Sequence, residues 1–224
     1  MKKIKWYAMF LVICFLAAQT AMAQVTYSFL HIVEVNDGST QFADGQIGEN
    51  QLFVDVNEGG TNQVLFTFRN TGPQASSIAD IYFDDGALAS FAFLDNSDPG
   101  VAFAQFASPG NLPGGNNLAV PFAATYSFDS DPPVQPKGIN PGESLGITFN
   151  LLAGNDLQDV VDDLDDGTLR IGLHVQGFAS EGSEAFVNNG RDGNGSGVVP
   201  APGAILLGSI GIFFIGLIKR KSYL

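Results

Sequence analysis

Val64-Leu65-Phe66-Thr67-Phe68-Arg69 and Leu145-Gly146-Ile147-Thr148-Phe149-Asn150-Leu151 decide the fold by their alternation. Successive side chains of a strand point to opposite faces, so a period of two gathers Val64, Phe66 and Phe68 on one side and Leu145, Ile147, Phe149 and Leu151 on one side of a second strand. Leu169, Ile171, Leu173 and Val175 alternate in the same way against Arg170, Gly172, His174 and Gln176. Between residues 24 and 36, Val25, Tyr27, Phe29, Val33 and Val35 share a face. Weaker strand patterns cover 51–56, 78–83, 88–94, 119–128 and 184–188. Turn chemistry separates them: Asn57-Glu58-Gly59-Gly60, Asn70-Thr71-Gly72-Pro73 and Asn140-Pro141-Gly142. Half-buried strands in this number predict an all-β chain, built as an antiparallel β-sandwich or jelly roll with one short helix.

The helix is expected just after residue 155. Leu157, Val160, Val161 and Leu164 recur at helical spacing, Asn155 is placed to cap them, Asp156 and Asp159 lie at the favoured N-terminal end, and Gly167 stops the run. It is expected to pack across one open end of the sheet structure. Residues 97–113 and 129–141 are the expected long loops. No internal repeat of fixed period is visible.

Both ends of the chain read as addresses. Lys2, Lys3 and Lys5 precede an apolar run from 6 to 18, and Ala21-Met22-Ala23 supplies small residues at Ala21 and Ala23 for signal cleavage, so a mature protein starting at Gln24 is expected. The chain's single cysteine, Cys14, falls inside that leader. Disulfides, thiol catalysis and cysteine metal ligands are thereby excluded from the mature protein. At the other end, Pro200-Ala201-Pro202-Gly203 leads into an uncharged run to Ile218, followed by Lys219-Arg220-Lys221. About sixteen helical residues span roughly 24 Å, a little short of a bilayer's hydrocarbon core, and the basic cluster stays cytoplasmic by the positive-inside rule. Pro200 and Pro202 force an extended approach to the apolar segment. The organisation expected is a signal peptide over 1–23, a β ectodomain over 24–187, a Gly/Asn-rich linker over 188–198, and a tail with a transmembrane helix over 199–224.

All 23 acidic residues fall between these ends, against four basic ones, Arg69, Lys137, Arg170 and Arg191, which leaves a formal charge of −19. Such a field argues against nucleic acid or an anionic membrane surface as partner and is compatible with divalent cations or neutral polysaccharide.

The motif, apolar segment and basic end, in that order, resemble the PEP-CTERM sorting signal of Gram-negative bacteria, with Ala201 where the common Val-Pro-Glu-Pro form has Glu. The resemblance implies processing of the tail by an exosortase at the inner membrane during export to the cell envelope. The segments Ile78-Ala79-Asp80-Ile81-Tyr82-Phe83-Asp84-Asp85-Gly86, Ala107-Ser108-Pro109-Gly110-Asn111-Leu112-Pro113-Gly114-Gly115, Ser130-Asp131-Pro132-Pro133 and Arg170-Ile171-Gly172-Leu173-His174-Val175-Gln176-Gly177-Phe178 look like a recurrent ectodomain of the same class of proteins, from which no catalytic or binding residue carries over.

Chemistry-bearing constellations are sparse. Asp162, Asp163, Asp165 and Asp166 form the densest carboxylate cluster. Two readings of it are open: a calcium site at the end of the short helix, or a solvated helix end whose charges oppose the dipole. Asp192, Asn194 and Ser196 imitate half of a calcium loop, but the residue where the bidentate acid belongs is Gly203. His31 interrupts an apolar face, which suits a hydrogen-bonded and partly buried ring, and His174 falls on the polar face of its strand; two histidines do not make a metal centre. No Gly-x-Ser-x-Gly elbow occurs, and Asp84-Asp85-Gly86 reads as a turn. The function expected is an exported, non-enzymatic cell-surface or matrix protein, structural or adhesive in exopolysaccharide, with no cofactor required. The alternative is a carbohydrate-binding module, with or without calcium, presenting Tyr82 or Tyr126 as stacking surfaces. A secreted glycoside hydrolase using paired carboxylates is the third reading.

Overall fold

The computed structural model of the chain describes residues 24–33, 41–84 and 88–188, all within one compact unit. The leader over 1–23, residues 189–198 and the tail over 199–224 lie outside the described residues.

The elements run β1 (Val25–His31), α1 (Gln41–Gln51), β2 (Leu52–Gly60), β3 (Gln63–Asn70), β4 (Ser77–Asp84), β5 (Leu88–Asp95), β6 (Phe103–Gln105), β7 (Tyr126–Ser130), α2 (Val134–Lys137), β8 (Ser144–Leu151), α3 (Leu157–Asp166), β9 (Arg170–Gln176) and β10 (Glu184–Asn188). Every pairing is antiparallel, in the order β5-β8-β3-β2-β1-β10-β9-β4-β7-β6. The all-β antiparallel expectation holds at this level. β1 is the shared member: Val25 to Ser28 pair with β2, and Phe29 to His31 pair with β10.

This sheet curls until it nearly closes. In a flat sheet β3 and β4 would lie about 24 Å apart, five strand spacings, yet the rings of Phe66 and Phe83 are 5.1 Å apart. Phe83 also meets Phe68 at 6.0 Å, Phe128 at 6.2 Å and Phe149 at 4.8 Å, all edge-on, the orientation that sets a positive ring edge against a negative face. The two ends of the strand order approach each other as well. Phe91 of β5 lies 5.4 Å from Phe128 of β7, and the Tyr126 hydroxyl donates to the Ala89 carbonyl at 3.3 Å. Asn96, just past β5, exchanges two hydrogen bonds with the Phe103 backbone at 3.1 and 3.0 Å, so a side chain stands in for the ladder that does not join β5 to β6.

β3 and β8 alternate buried and half-buried residues along their whole length, as their sequences demand. β4 is buried on both faces, because residues 106–125 fold over its outer side. There Tyr82, Leu112, Phe122 and Ala185 form a second, smaller apolar cluster. Gly172 makes room for this cover: a Cβ on it would lie 2.6 Å from Leu112 Cδ2.

Several local expectations are corrected. The cap of α3 is Asp156, not Asn155: its carboxylate accepts from the Gln158 and Asp159 amides at 2.8 and 3.3 Å, while Asp159 accepts from the Asp156 amide at 2.8 Å, a closed capping box. Gly167 does end the helix, at φ 82°, and Val160 and Leu164 enter the main core. β2 runs through Asn57-Glu58-Gly59-Gly60 with an irregularity between Glu58 and Gly60, so the turn falls at Thr61 and Asn62, the latter at φ 59°. The strand expected over 119–128 starts only at Tyr126, β6 interrupts the loop expected over 97–113, and Asn188 closes β10 rather than opening the linker. β1 ends at His31, which leaves Val33 exposed.

One short helix is too few. α1 precedes β2, and α2 adds a single turn. α1 has no apolar stripe; Ile47 alone of its large apolar side chains packs against the core, and the closest approach to the sheet is made by Gly45 and Gly48, one turn apart. A Cβ on Gly45 would lie 2.5 Å from His31 Nδ1, and one on Gly48 would lie 2.2 Å from Phe186 Cζ. Bare backbone presses on the rings, which no hydrophobic periodicity announces. Among the described residues no helix is long and apolar enough to cross a membrane.

Candidate functional site

Three adjacent strands set the most distinctive polar group of the molecule. Asp80 at the middle of β4 is in register with Asp129 of β7 on one side and His174 of β9 on the other. The His174 ring nitrogen Nδ1 lies 2.7 Å from Asp80 Oδ2, and Asp80 is buried. Burial first, then the charge of Asp80 and a hydrogen bond with it, then the charge of Asp131, push the Asp129 carboxyl up to about 6, with His174 acting in the opposite direction. Two carboxyls and an imidazole therefore form a row in which Asp129 keeps its proton into mildly acid solution.

Tyr82 lies two residues along β4 on the same face. Its hydroxyl donates to the Pro109 carbonyl at 2.9 Å, and burial, followed by the charges of Asp80 and Asp129, pushes its ionisation far above the ordinary tyrosine range. It acts as a neutral donor that ties the cover to the sheet. At the far end of β4, Arg170 locks the same cover down. It pairs with Asp84, donates to the Val120 and Pro121 carbonyls at 2.7 and 2.8 Å, and places its guanidinium 5.2 Å from the Phe122 ring centre. A cleft of about 550 Å³ opens beside it, lined among others by Leu118, Val120, Leu164, Thr168 and Val187.

The second histidine has a carboxylate partner of its own. His31 Nε2 lies 2.7 Å from Glu184 Oε2 beneath α1, in agreement with the expectation of a hydrogen-bonded, partly buried ring. Nearby, the Ser180 hydroxyl donates to the buried Asp44. Among the described residues each imidazole bonds a carboxylate, His31 to Glu184 and His174 to Asp80, and neither bonds a serine hydroxyl. On β2, beside the other end of β1, Asp55 accepts from Arg69 Nε and Nη2 at 2.6 and 2.9 Å and from Thr26 at 2.6 Å. Burial alone would raise its carboxyl, but these bonds and the Arg69 charge hold it below the usual carboxylate range.

The four aspartates singled out in the sequence have separate engagements. Asp162 accepts from Gln158 at 2.8 Å, Asp165 from the Tyr27 hydroxyl at 3.1 Å, and Asp166 from the Thr168 amide at 2.8 Å; the Thr168 side chain first and then that amide lower the Asp166 carboxyl. Asp163 is half-buried on the same helix, its carbonyl accepting from the Leu169 amide at 3.0 Å. Among the described residues no group of three or more His, Cys, Asp or Glu side chains converges as for a metal ion. Ala21, Ala23, Pro200, Ala201, Pro202 and Gly203 lie outside the described residues.

The stacking surfaces expected of Tyr82 and Tyr126 are corrected: Tyr82 is 0% exposed, and Tyr126 leans on Phe149 with ring centres 5.0 Å apart. Among the described residues the exposed aromatics are instead Phe42, Phe93 and Phe106. The Asp129–Asp80–His174 row was not legible beforehand, because the pairing of residues so far apart along the chain is a property of strand order alone. Comparison of the chain with protein-family models, with curated proteins and with solved structures finds no match.

Proposed function

We propose that this chain is an exported, non-enzymatic protein of the cell surface or extracellular matrix, routed by an exosortase and structural or adhesive in an exopolysaccharide. The observation that carries the reading is the order of the C-terminal features: Pro200-Ala201-Pro202-Gly203, an uncharged apolar run, then Lys219-Arg220-Lys221, behind an N-terminal leader with Ala21 and Ala23 at its cleavage position. A mature chain without cysteine and with a formal charge of −19 suits an extracellular, hydrated setting. Within the same reading the nearly closed sheet is a two-layer sandwich whose halves face each other across Phe66, Phe83 and Phe149.

Replacing Pro200 and Pro202 by alanine tests the route. An exosortase that grips the extended form loses its substrate, so the variant accumulates in the membrane at a mass larger than the wild-type product by that of the tail. A simple anchor leaves both proteins full-length and membrane-bound. Intact masses from envelope and medium separate the two, and a complete tail on the wild-type protein, in a host with an active exosortase, refutes the sorting assignment.

A further inference from the structure

A cleft of about 460 Å³ lies between α1 and the turn from β3 to β4, lined by Ala43, Gln46, Ile47, Asn50, Gln51, Gly72, Pro73 and Gln74. Its size falls in the range of small-molecule sites, roughly 300–1,000 Å³. None of its lining residues is ionisable, on a chain in which 23 acidic residues crowd the mature segment. Its lining combines the carboxamides of Gln46, Asn50, Gln51 and Gln74 with the apolar side chains of Ala43, Ile47 and Pro73, of which Ile47 is half-buried and the other two exposed.

One of those amides builds the wall. Gln51 Nε2 shares its two N–H donors among Asn70 Oδ1, the Gln74 carbonyl and Ser76 Oγ, which lie at 3.0, 2.9 and 2.6 Å, and Gln51 Oε1 accepts from the Gln74 amide at 3.2 Å. The Gln51 carbonyl accepts from the Thr71 amide at 2.8 Å. The helix end and the turn are thereby clamped, and the cleft is held open without a ligand's help. Gln46, Asn50 and Gln74 are exposed at its rim, where Asn50 Nδ2 also donates to the Gln46 carbonyl at 2.7 Å and leaves its Oδ1 as an acceptor. Phe42, one helical turn before Gln46, is 71% exposed and offers a ring beside them.

We infer that this cleft is a binding site for a neutral saccharide unit of an extracellular polysaccharide. Carboxamides both donate and accept, as sugar hydroxyls do, while Pro73, Ile47 and Phe42 suit the C–H faces of a pyranose. A cation finds no carboxylate in the lining, and a polyanion meets the field of the whole domain. An extended peptide is disfavoured because the walls are a helix face and a turn, with no open strand edge for it to pair with. The inference rests on the proposed matrix residence for its ligand but not on the sorting route.

The test uses the full chain, solubilised in a detergent without sugar headgroups, and affinity electrophoresis through gels containing dextran, laminarin or galactomannan, with alginate as the anionic control. Retardation is expected in at least one neutral glycan and not in alginate. The combined change Gln46→Ala, Asn50→Ala and Gln74→Ala is expected to weaken it by roughly tenfold to a hundredfold, the loss of about three hydrogen bonds, with the circular dichroism spectrum unchanged. Should that variant misfold, Ala43→Trp fills the cleft from an exposed position and is expected to abolish retardation. The site is overturned by mobility unaffected by all three neutral glycans, by binding that survives both variants, by preference for alginate, or by capture of an uncharged peptide through the same residues. Failure here with a processed tail removes the saccharide site and leaves the sorting route standing; glycan binding with an unprocessed tail does the reverse.

Discussion

Replacing Asp129 by asparagine tests whether the row on β7, β4 and β9 is an electrostatic unit. In the folded chain Asp129 faces Asp80, with Asp131 and His174 around them, and its carboxyl is raised from 3.8 to about 6. The sign follows from proton counting. Below about pH 4 both folded and unfolded chains carry the proton, and the group has no effect on stability. As the pH rises, the unfolded chain releases its proton first while the folded chain keeps it until about pH 6, so stability falls across this window and then stays level. At 1.36 kcal/mol per pKa unit the unscreened ceiling is about 3 kcal/mol. Asp129 is only partly buried, and solvent screening reduces this to about 1 kcal/mol. Asparagine keeps the shape and a donor for Asp80 but never ionises. The variant is therefore expected to match wild type near pH 4 and to melt about 2–4 °C higher at pH 7. Thermal midpoints of both proteins, recorded from pH 4 to 7.5 and compared as differences, cancel the contribution of the other carboxylates. A difference that is flat with pH, or a variant less stable at pH 7, refutes the arrangement.

Phe83→Ala is expected to cost about 3–5 kcal/mol, because Phe83 is fully buried and joins rings from both ends of the strand order; chemical denaturation measures it, and Phe93→Ala, at an exposed site, is the control expected to stay within about 0.5 kcal/mol. Gly48→Ala tests the docking of α1 by its sign. In an exposed helix this change stabilises by about 0.5–1 kcal/mol, whereas a Cβ 2.2 Å from the Phe186 ring is expected to destabilise by about 1–3 kcal/mol, and a rise in thermal midpoint would show that the helix does not press on that ring.

The sequence by itself determined the strands whose two faces differ. β3, β8 and β9 are readable because one face meets the core and the other does not, and a period of two is what that asymmetry leaves behind. α3 was readable for the corresponding reason at period 3.6, with only its cap displaced by one residue, since Asn155 and Asp156 are equally good caps by type and only the reciprocal bond with Asp159 chooses between them. The lone cysteine at position 14 and the acidic balance were likewise matters of sequence. Tertiary structure alone decided the rest. α1 makes its closest contacts through Gly45 and Gly48, with Ile47 its one large side chain packed on the core, so most of the information lies in the rings it meets and not in its own pattern. Tyr82 reads as an outward-facing aromatic until residues 106–125 fold over it. Asp80, Asp129 and His174 become neighbours, and Gln46, Asn50 and Gln74 come to line one cleft, because antiparallel pairing and the packing of a helix against a turn join residues far apart in the chain, a proximity that no local period encodes.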